Sequence, residues 1–270
     1  MRDPQTYHKC CDVAEQMDRE ILHYIKDSMC FGDKEHILDV GCGPGINTYK
    51  NLTTFLPEGS TIVGVDISSE MVDFATKHYA NSSMIFRKLD ITDTNLWSTW
   101  KMEEFSKVFC FFTLHRVVNQ RMAYENMYNL LQPGGEILTI TPIEDELNLL
   151  APYLARLPKY AKYSESLNRM NLQFNPVKND FNETTNILKQ LGFQIKICET
   201  MYKTCCAPTV DFVIEFYGTT SYLSNILPKN LYDEALIDLK NIFLEKKPLQ
   251  ENNKGYVLKY TLLVILAKKI

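Results

Sequence analysis

His36-Ile37-Leu38-Asp39-Val40, running straight into Gly41-Cys42-Gly43-Pro44-Gly45, decides how this chain folds. A short apolar run closed by glycines reads as a buried strand followed by a tight loop. Working outward, a helical stretch follows, and Pro57-Glu58-Gly59-Ser60 punctuates it. Residues 61–65, β-branched except for Gly64, end at Asp66, a second strand. A helix over 68–79 follows, with Ser68 as its cap. Residues 84–89 form a third strand ending at Asp90, and 107–112 a fourth. A helix over 120–131 offers Met122, Tyr124, Met127, Leu130 and Leu131 as inward positions. The turn Gln132-Pro133-Gly134-Gly135 leads into a fifth strand over 136–141. Strand and helix alternate, which predicts an α/β fold built on a doubly wound, mostly parallel sheet.

On the near side of this core, Val13, Met17, Ile21, Tyr24 and Ile25 keep helical spacing. On the far side the rhythm breaks after Pro142. Leu147, Leu150, Leu154 and Leu157 are spaced as in a helix, but Pro152 and Pro158 interrupt them. A helix ends at Gly192, a sixth strand covers 193–198, a second helical stretch covers 208–247, and 256–266 is a long last strand. The expectation is one domain over 1–270 with helical cap insertions at about 143–179 and 208–250.

Hydrophobic residues make up 45% of the 270, enough for a core. Lys and Arg number 29 against 33 Asp and Glu, a net charge of −4, which gives nucleic acid no broad positive field. The longest apolar run is far too short to span a bilayer, and no signal peptide is evident. The eight cysteines show no metal-binding spacing, so no metal is expected. A cytoplasmic protein with reduced thiols is expected, and the vicinal pairs Cys10-Cys11 and Cys205-Cys206 read as bystanders.

Glycines after a first strand let the backbone approach a ligand where a Cβ would intrude. Asp66, at the end of the next strand, is placed to accept hydrogen bonds from both hydroxyls of a ribose. Strand, loop, helix, strand and acid in that order predict a nucleoside cofactor, either NAD or S-adenosylmethionine. Asp39 inside the first strand suits an ammonium better than a pyrophosphate. Asp90 followed by Ile91 suits the edge and face of an adenine.

Together with Leu131-Gln132-Pro133-Gly134-Gly135-Glu136, these residues resemble the seven-stranded methyltransferases that use S-adenosylmethionine. That resemblance implies Asp39, Gly41 and Gly43 around the methionine part, and Asp66 with Ile67 at the ribose. It also implies Asp90 and Ile91 at the adenine, Phe111 beside the cofactor, and a last strand running antiparallel. Phe112-Thr113-Leu114-His115, with Asn126-Met127-Tyr128-Asn129-Leu130-Leu131 and Asp66-Ile67-Ser68-Ser69-Glu70-Met71-Val72, is similar to insect juvenile hormone acid O-methyltransferases. This likeness implies methyl transfer to the carboxylate of an apolar sesquiterpenoid acid such as farnesoic acid.

His115 lies beyond the fourth strand, where the acceptor is expected. In the family an amino-terminal Leu-Gln-x-Arg-Asp pattern supplies a glutamine to the acceptor carboxylate. Here the stretch is Ala14-Glu15-Gln16-Met17-Asp18, which puts Glu15 at that position and makes Gln16 the candidate substitute. The family's His-Trp pair is His115-Arg116, and arginine can bind a carboxylate bidentately. Leu150, Tyr153, Phe212 and Phe216 are candidate walls for the apolar chain. Other small acceptors (a polar acid, an amine or a phenol), or a binding protein without turnover, are the alternatives.

Overall fold

The computed structural model describes residues 3–96, 100, 104–173 and 181–270. Its centre is one sheet. β1 (His36–Val40), β2 (Thr61–Asp66), β3 (Met84–Lys88), β4 (Phe105–Phe111) and β5 (Leu131–Asp145) run parallel. β8 (Gly255–Lys269) lies antiparallel between β5 and β6 (Phe193–Ala207), giving the order β3-β2-β1-β4-β5-β8-β6. A three-residue strand, β7 (Gln250–Asn252), pairs with the start of β8. The expected doubly wound sheet with an antiparallel last strand is therefore what forms.

Strand periodicity builds two cores, one on each face. Ile37, Phe109, Phe111, Leu262, Val264 and Leu266 point to one face. Leu38, Val40, Val108, Cys110, Leu263 and Ile265 point to the other. All seven residues of β4 are buried, as expected of a strand covered on both faces. The chain winds from β1 outward to β3 and returns to β4 beside β1. That reversal opens a crevice beyond the carboxyl ends of β1 and β4.

Helices α1 (Pro4–Cys10) and α2 (Asp12–Ile25) precede the sheet. α3 (Ser69–Tyr79) is capped by Ser68, whose hydroxyl accepts from the Met71 N–H, as expected. α4 (Gln120–Leu130) buries Ala123, Tyr124, Asn126, Met127 and Leu130, while Met122 is only half buried. The first insertion contains α5 (Ala151–Ala155) and α6 (Ser164–Gln173), and its expected end at 174–179 lies outside the described residues. α7 (Phe181–Leu191) precedes β6, and the second insertion contains α8 (Val210–Thr220) and α9 (Lys229–Lys246). α8 packs against α1, so the second insertion and the amino terminus meet over the crevice.

Several boundaries differ from the expectation: β5 spans Leu131–Asp145 and not 136–141, β4 starts two residues earlier, and β8 runs three residues further. β6 runs nine residues past the expected end at 198, because it is an edge strand whose second half is half exposed and carries little apolar signal. The helix after the glycine loop is a π-helix over Thr48–Leu52, closed by one α turn at Thr53–Phe55. No helix among the described residues is long and apolar enough to cross a membrane.

Candidate active site

Two adjoining cavities fill the crevice. The larger, about 400 Å³, lies over the carboxyl ends of β1, β2 and β4 and is roofed by α1 and α2. The smaller, about 60 Å³, lies beside it under α8. Tyr7, Ala14, Phe112 and Arg116 line both, so the two meet across these residues.

The larger cavity collects Asp39, Gly41, Gly43, Asp66, Ile67, Asp90, Ile91 and Phe111, all expected to hold the cofactor. Gly41 has φ +77°, and a Cβ there would lie 2.0 Å from Thr113 Oγ1, so only glycine lets the loop pass the end of β4. Gly43 has φ +54°, and its N–H donates to Asp66 Oδ2 at 3.0 Å. The other oxygen of Asp66 accepts from Ser68 N–H at 2.9 Å, so both ends of the carboxylate are positioned. Burial still pushes its carboxyl above the ordinary range. Asp90 is exposed at the lip and accepts from the Thr92 N–H and hydroxyl at 2.8 and 2.7 Å. Ile67 is also open to solvent, at the rim, whereas Ile91 is buried.

The far end of this cavity is acidic. Asp39 is buried and accepts from Thr48 Oγ1 at 2.6 Å. Burial pushes its carboxyl up to about 7, with the charge of Asp66 adding to the rise. Asp18 on α2 is fully buried, and Asn47 Nδ2 donates to its Oδ2. Glu15, one turn earlier, takes Cys11 Sγ–H at 2.8 Å and Lys50 Nζ at 2.9 Å. Lys50 also lies 3.8 Å from Asp12, so its ammonium already occupies the space among these acids and Cys11. Asn47, Thr48 and Asn51 come from the turn following the glycine loop, and Asn51 Nδ2 donates to the Glu15 carbonyl at 2.9 Å. π-turns recur at functional sites, and here the wide turn directs three polar side chains toward the acids.

Tyr7, Ala14, Met17, Phe112, His115, Arg116, Phe216 and Tyr260 are among the walls of the smaller cavity. Phe112 has φ +48°, a left-handed conformation costly for a bulky side chain and held where both cavities meet. His115 is buried, and burial together with the Arg116 charge holds its imidazole well below its usual value. Arg116 Nε donates to His115 Nε2 at 3.2 Å, which assigns the neutral ring with its proton on Nδ1. Arg116 also donates to the Thr220 carbonyl, and its guanidinium lies 5.5 Å from the Tyr222 ring centre.

The structure places several of the expected site residues elsewhere. Gln16 faces solvent and donates to Glu20 Oε1 at 3.1 Å, because the helical period turns Ala14, Met17 and Asp18 inward instead. Glu15 borders the larger cavity rather than the smaller, with its charge met by Lys50. Leu150 is buried in the core under the first insertion, and Tyr153 stacks with Arg156. Phe212 stacks on Phe216, and only Phe216 reaches the smaller cavity. Cys11, one of the vicinal pair, borders the larger cavity. Tyr7, Asp18, Asn47 and Phe112 escaped sequence reading. Asn47 directly follows the glycine loop, and Asp18 lies one turn from Glu15, which were available signals. Nothing local marks Tyr7, which reaches the site through α1.

The larger cavity fits a nucleoside cofactor with a cationic amino acid end. It offers a glycine cradle, a positioned acid for the ribose, and buried acids at the opposite end. A model of the methyltransferase domain matches residues 31–203. Juvenile hormone acid O-methyltransferase of Bombyx mori is 28% identical over 82% of this chain and 78% of its own length. The enzyme of the same name from Drosophila melanogaster is 27% identical over 87% and 81%. The YcgJ protein of Bacillus subtilis shares the fold, with a TM-score of 0.53 at 13% identity, over 93% of this chain and 98% of that one. The match spans more than half of the chain and takes in the glycine loop and its acids: the chain belongs to the methyltransferase-domain family, and S-adenosylmethionine is its cofactor.

Proposed function

We propose that this enzyme transfers a methyl group to the carboxylate of a small apolar acid of sesquiterpenoid type, giving a methyl ester. The whole of 1–270 then works as one methyltransferase domain, with the two insertions as its cap. The observation that carries the reading is Arg116, a guanidinium in the wall shared by the cofactor cavity and a largely apolar chamber. The likeness to two juvenile hormone acid O-methyltransferases supports it.

A carboxylic acid is ionised near neutral pH, so the acceptor needs no general base. Bound S-adenosylmethionine supplies an electrophilic methyl carried on a cationic sulfur. Arg116 holds the acceptor carboxylate at the boundary of the two cavities, and Phe112, Met17 and Phe216 keep water from it. Orientation of this kind can contribute ~7 kcal/mol or more to lowering a barrier. His115 is a positioning residue in this scheme: its Nε2 is engaged by Arg116 and its ring is neutral, so it fixes the guanidinium rather than taking a proton.

The chamber's ~60 Å³ is far below the ~300 Å³ of a typical small-molecule pocket. A fifteen-carbon acid therefore needs the cap to move outward, and a shorter acid is the second reading. Acids of graded length, offered with labelled S-adenosylmethionine and analysed by mass spectrometry, separate the two. Methyl esters of farnesoic-type acids support the first reading, and esters of short acids alone support the second. Ester formation from neither class overturns both. Arg116→Gln should raise KM for the acid at least tenfold while leaving S-adenosylhomocysteine affinity within about twofold.

A further inference from the structure

Asp18 is fully buried on α2, in a segment that precedes the part of the chain matched by the family model. It borders the cofactor cavity, yet among the described residues only Oδ2 has a hydrogen-bond partner, Asn47, and Oδ1 has none. Among the described groups, the charges that act on it most are Asp39 and Glu15, both acidic. Burial first, and these acidic charges after it, hold the carboxyl well above its ordinary range, so the group keeps a proton unless a cation stabilises its ionised form. The cofactor carries two positive centres. A sulfonium has no N–H to give, whereas an ammonium donates three hydrogen bonds. An oxygen lacking a donor therefore selects the ammonium.

The arrangement around it is built for that purpose. Asn47 and Thr48, consecutive residues, each hold one oxygen of a different acid, Asp18 and Asp39. Asn51 donates to Asn47 Oδ1 at 2.5 Å and so orients the amide that holds Asp18. Glu15 is already paired with Lys50, which leaves Asp18 and Asp39 to meet an incoming charge. We propose that Asp18 is a second carboxylate, beside Asp39, that receives the ammonium group of the cofactor's amino acid end.

The adjacent residue, Met17, borders the acceptor chamber. The helix that carries Asp18 thus also lines the smaller cavity.

Calorimetric titration of the full chain and of Asp18→Asn tests this with S-adenosylhomocysteine, its deaminated analogue and 5′-methylthioadenosine, which lacks the amino acid end. The variant should lose at least tenfold in S-adenosylhomocysteine affinity and stay within twofold for the other two ligands. Its melting temperature without ligand should be no lower than that of the parent. Unchanged S-adenosylhomocysteine affinity would overturn the inference. An equal loss for all three ligands would also overturn it, by making Asp18 a support of the cavity as a whole. Failure of the parent chain to bind S-adenosylhomocysteine is the separate result that would overturn the cofactor reading on which this rests.

Discussion

Asp39 shows what a single residue sacrifices for the site. Its carboxyl rises from the ordinary range to about 7, first through burial and then through Asp66. The folded chain therefore holds a proton that the unfolded chain releases near pH 4. Between these values the folded state binds more protons, so stability falls as pH rises, by up to ~1.4 kcal/mol per unit. Asp18, Glu15, Asp66 and Cys42 line the same cavity, with Arg116 in its wall and Lys50 paired to Glu15. Asp39→Asn should therefore raise the melting temperature of the ligand-free protein at pH 8 more than at pH 5, while weakening S-adenosylhomocysteine at least tenfold. Melting curves at the two pH values check this, and an equal shift at both would contradict the proton argument. A related expectation concerns His115. Its imidazole is already neutral, so with S-adenosylmethionine saturating, which holds Asp39 ionised, kcat/KM for the acid should show no inflection near pH 6.5, the ordinary histidine value. An inflection there would restore a proton-transfer role.

At the scale of elements, α2 serves two cavities because its period turns Asp18 and Glu15 to one and Met17 to the other. α8 walls the smaller cavity, the proposed acceptor site. Phe216 is buried there, stacked on Phe212, and faces the chamber. Phe216→Ala should cost about 3 kcal/mol of stability, at the lower end for such truncations because the ring borders a void. It should also shift the preferred acid toward longer or bulkier chains. Urea unfolding and the graded acid series measure the two effects, and an unchanged length preference would remove α8 from the acceptor site. The strands of the core were legible from their apolar runs, since burial on both faces leaves no alternation to misread. The second half of β6 was not, because an edge strand with one open face mixes polar and apolar residues as a loop does. The π-turn at Thr48–Leu52 was read only as a helix. Its register depends on Asn47, Thr48 and Asn51 engaging acids from α2 and β1, which no local pattern records.

For the whole molecule, the net charge of −4 opposes an anionic acceptor at long range. At ~10 mM salt the screening length is ~30 Å and the net field reaches the approaching acid; at ~150 mM it is ~8 Å. Attraction then depends on Arg116 at short range. Raising salt across this interval should leave kcat/KM for the acid unchanged or slightly higher. A steep fall would point to long-range positive steering that the charge distribution does not supply.

The sheet, the glycine loop, Asp66 at the end of the second strand and the cofactor class were all readable along the chain. Each is written in a contiguous stretch whose apolar period or steric demand is local, as at His36–Val40 and Gly41. Which residues line the smaller cavity came from the packing of distant elements. It set Gln16 in solvent, bonded His115 to Arg116, brought Tyr7 and Phe216 to one chamber, and left Asp18 with an oxygen awaiting a donor. The physical reason is that these positions follow from how α1, α2 and α8 pack over the sheet. Such contacts join residues far apart in the chain, and a one-dimensional pattern carries no record of their meeting.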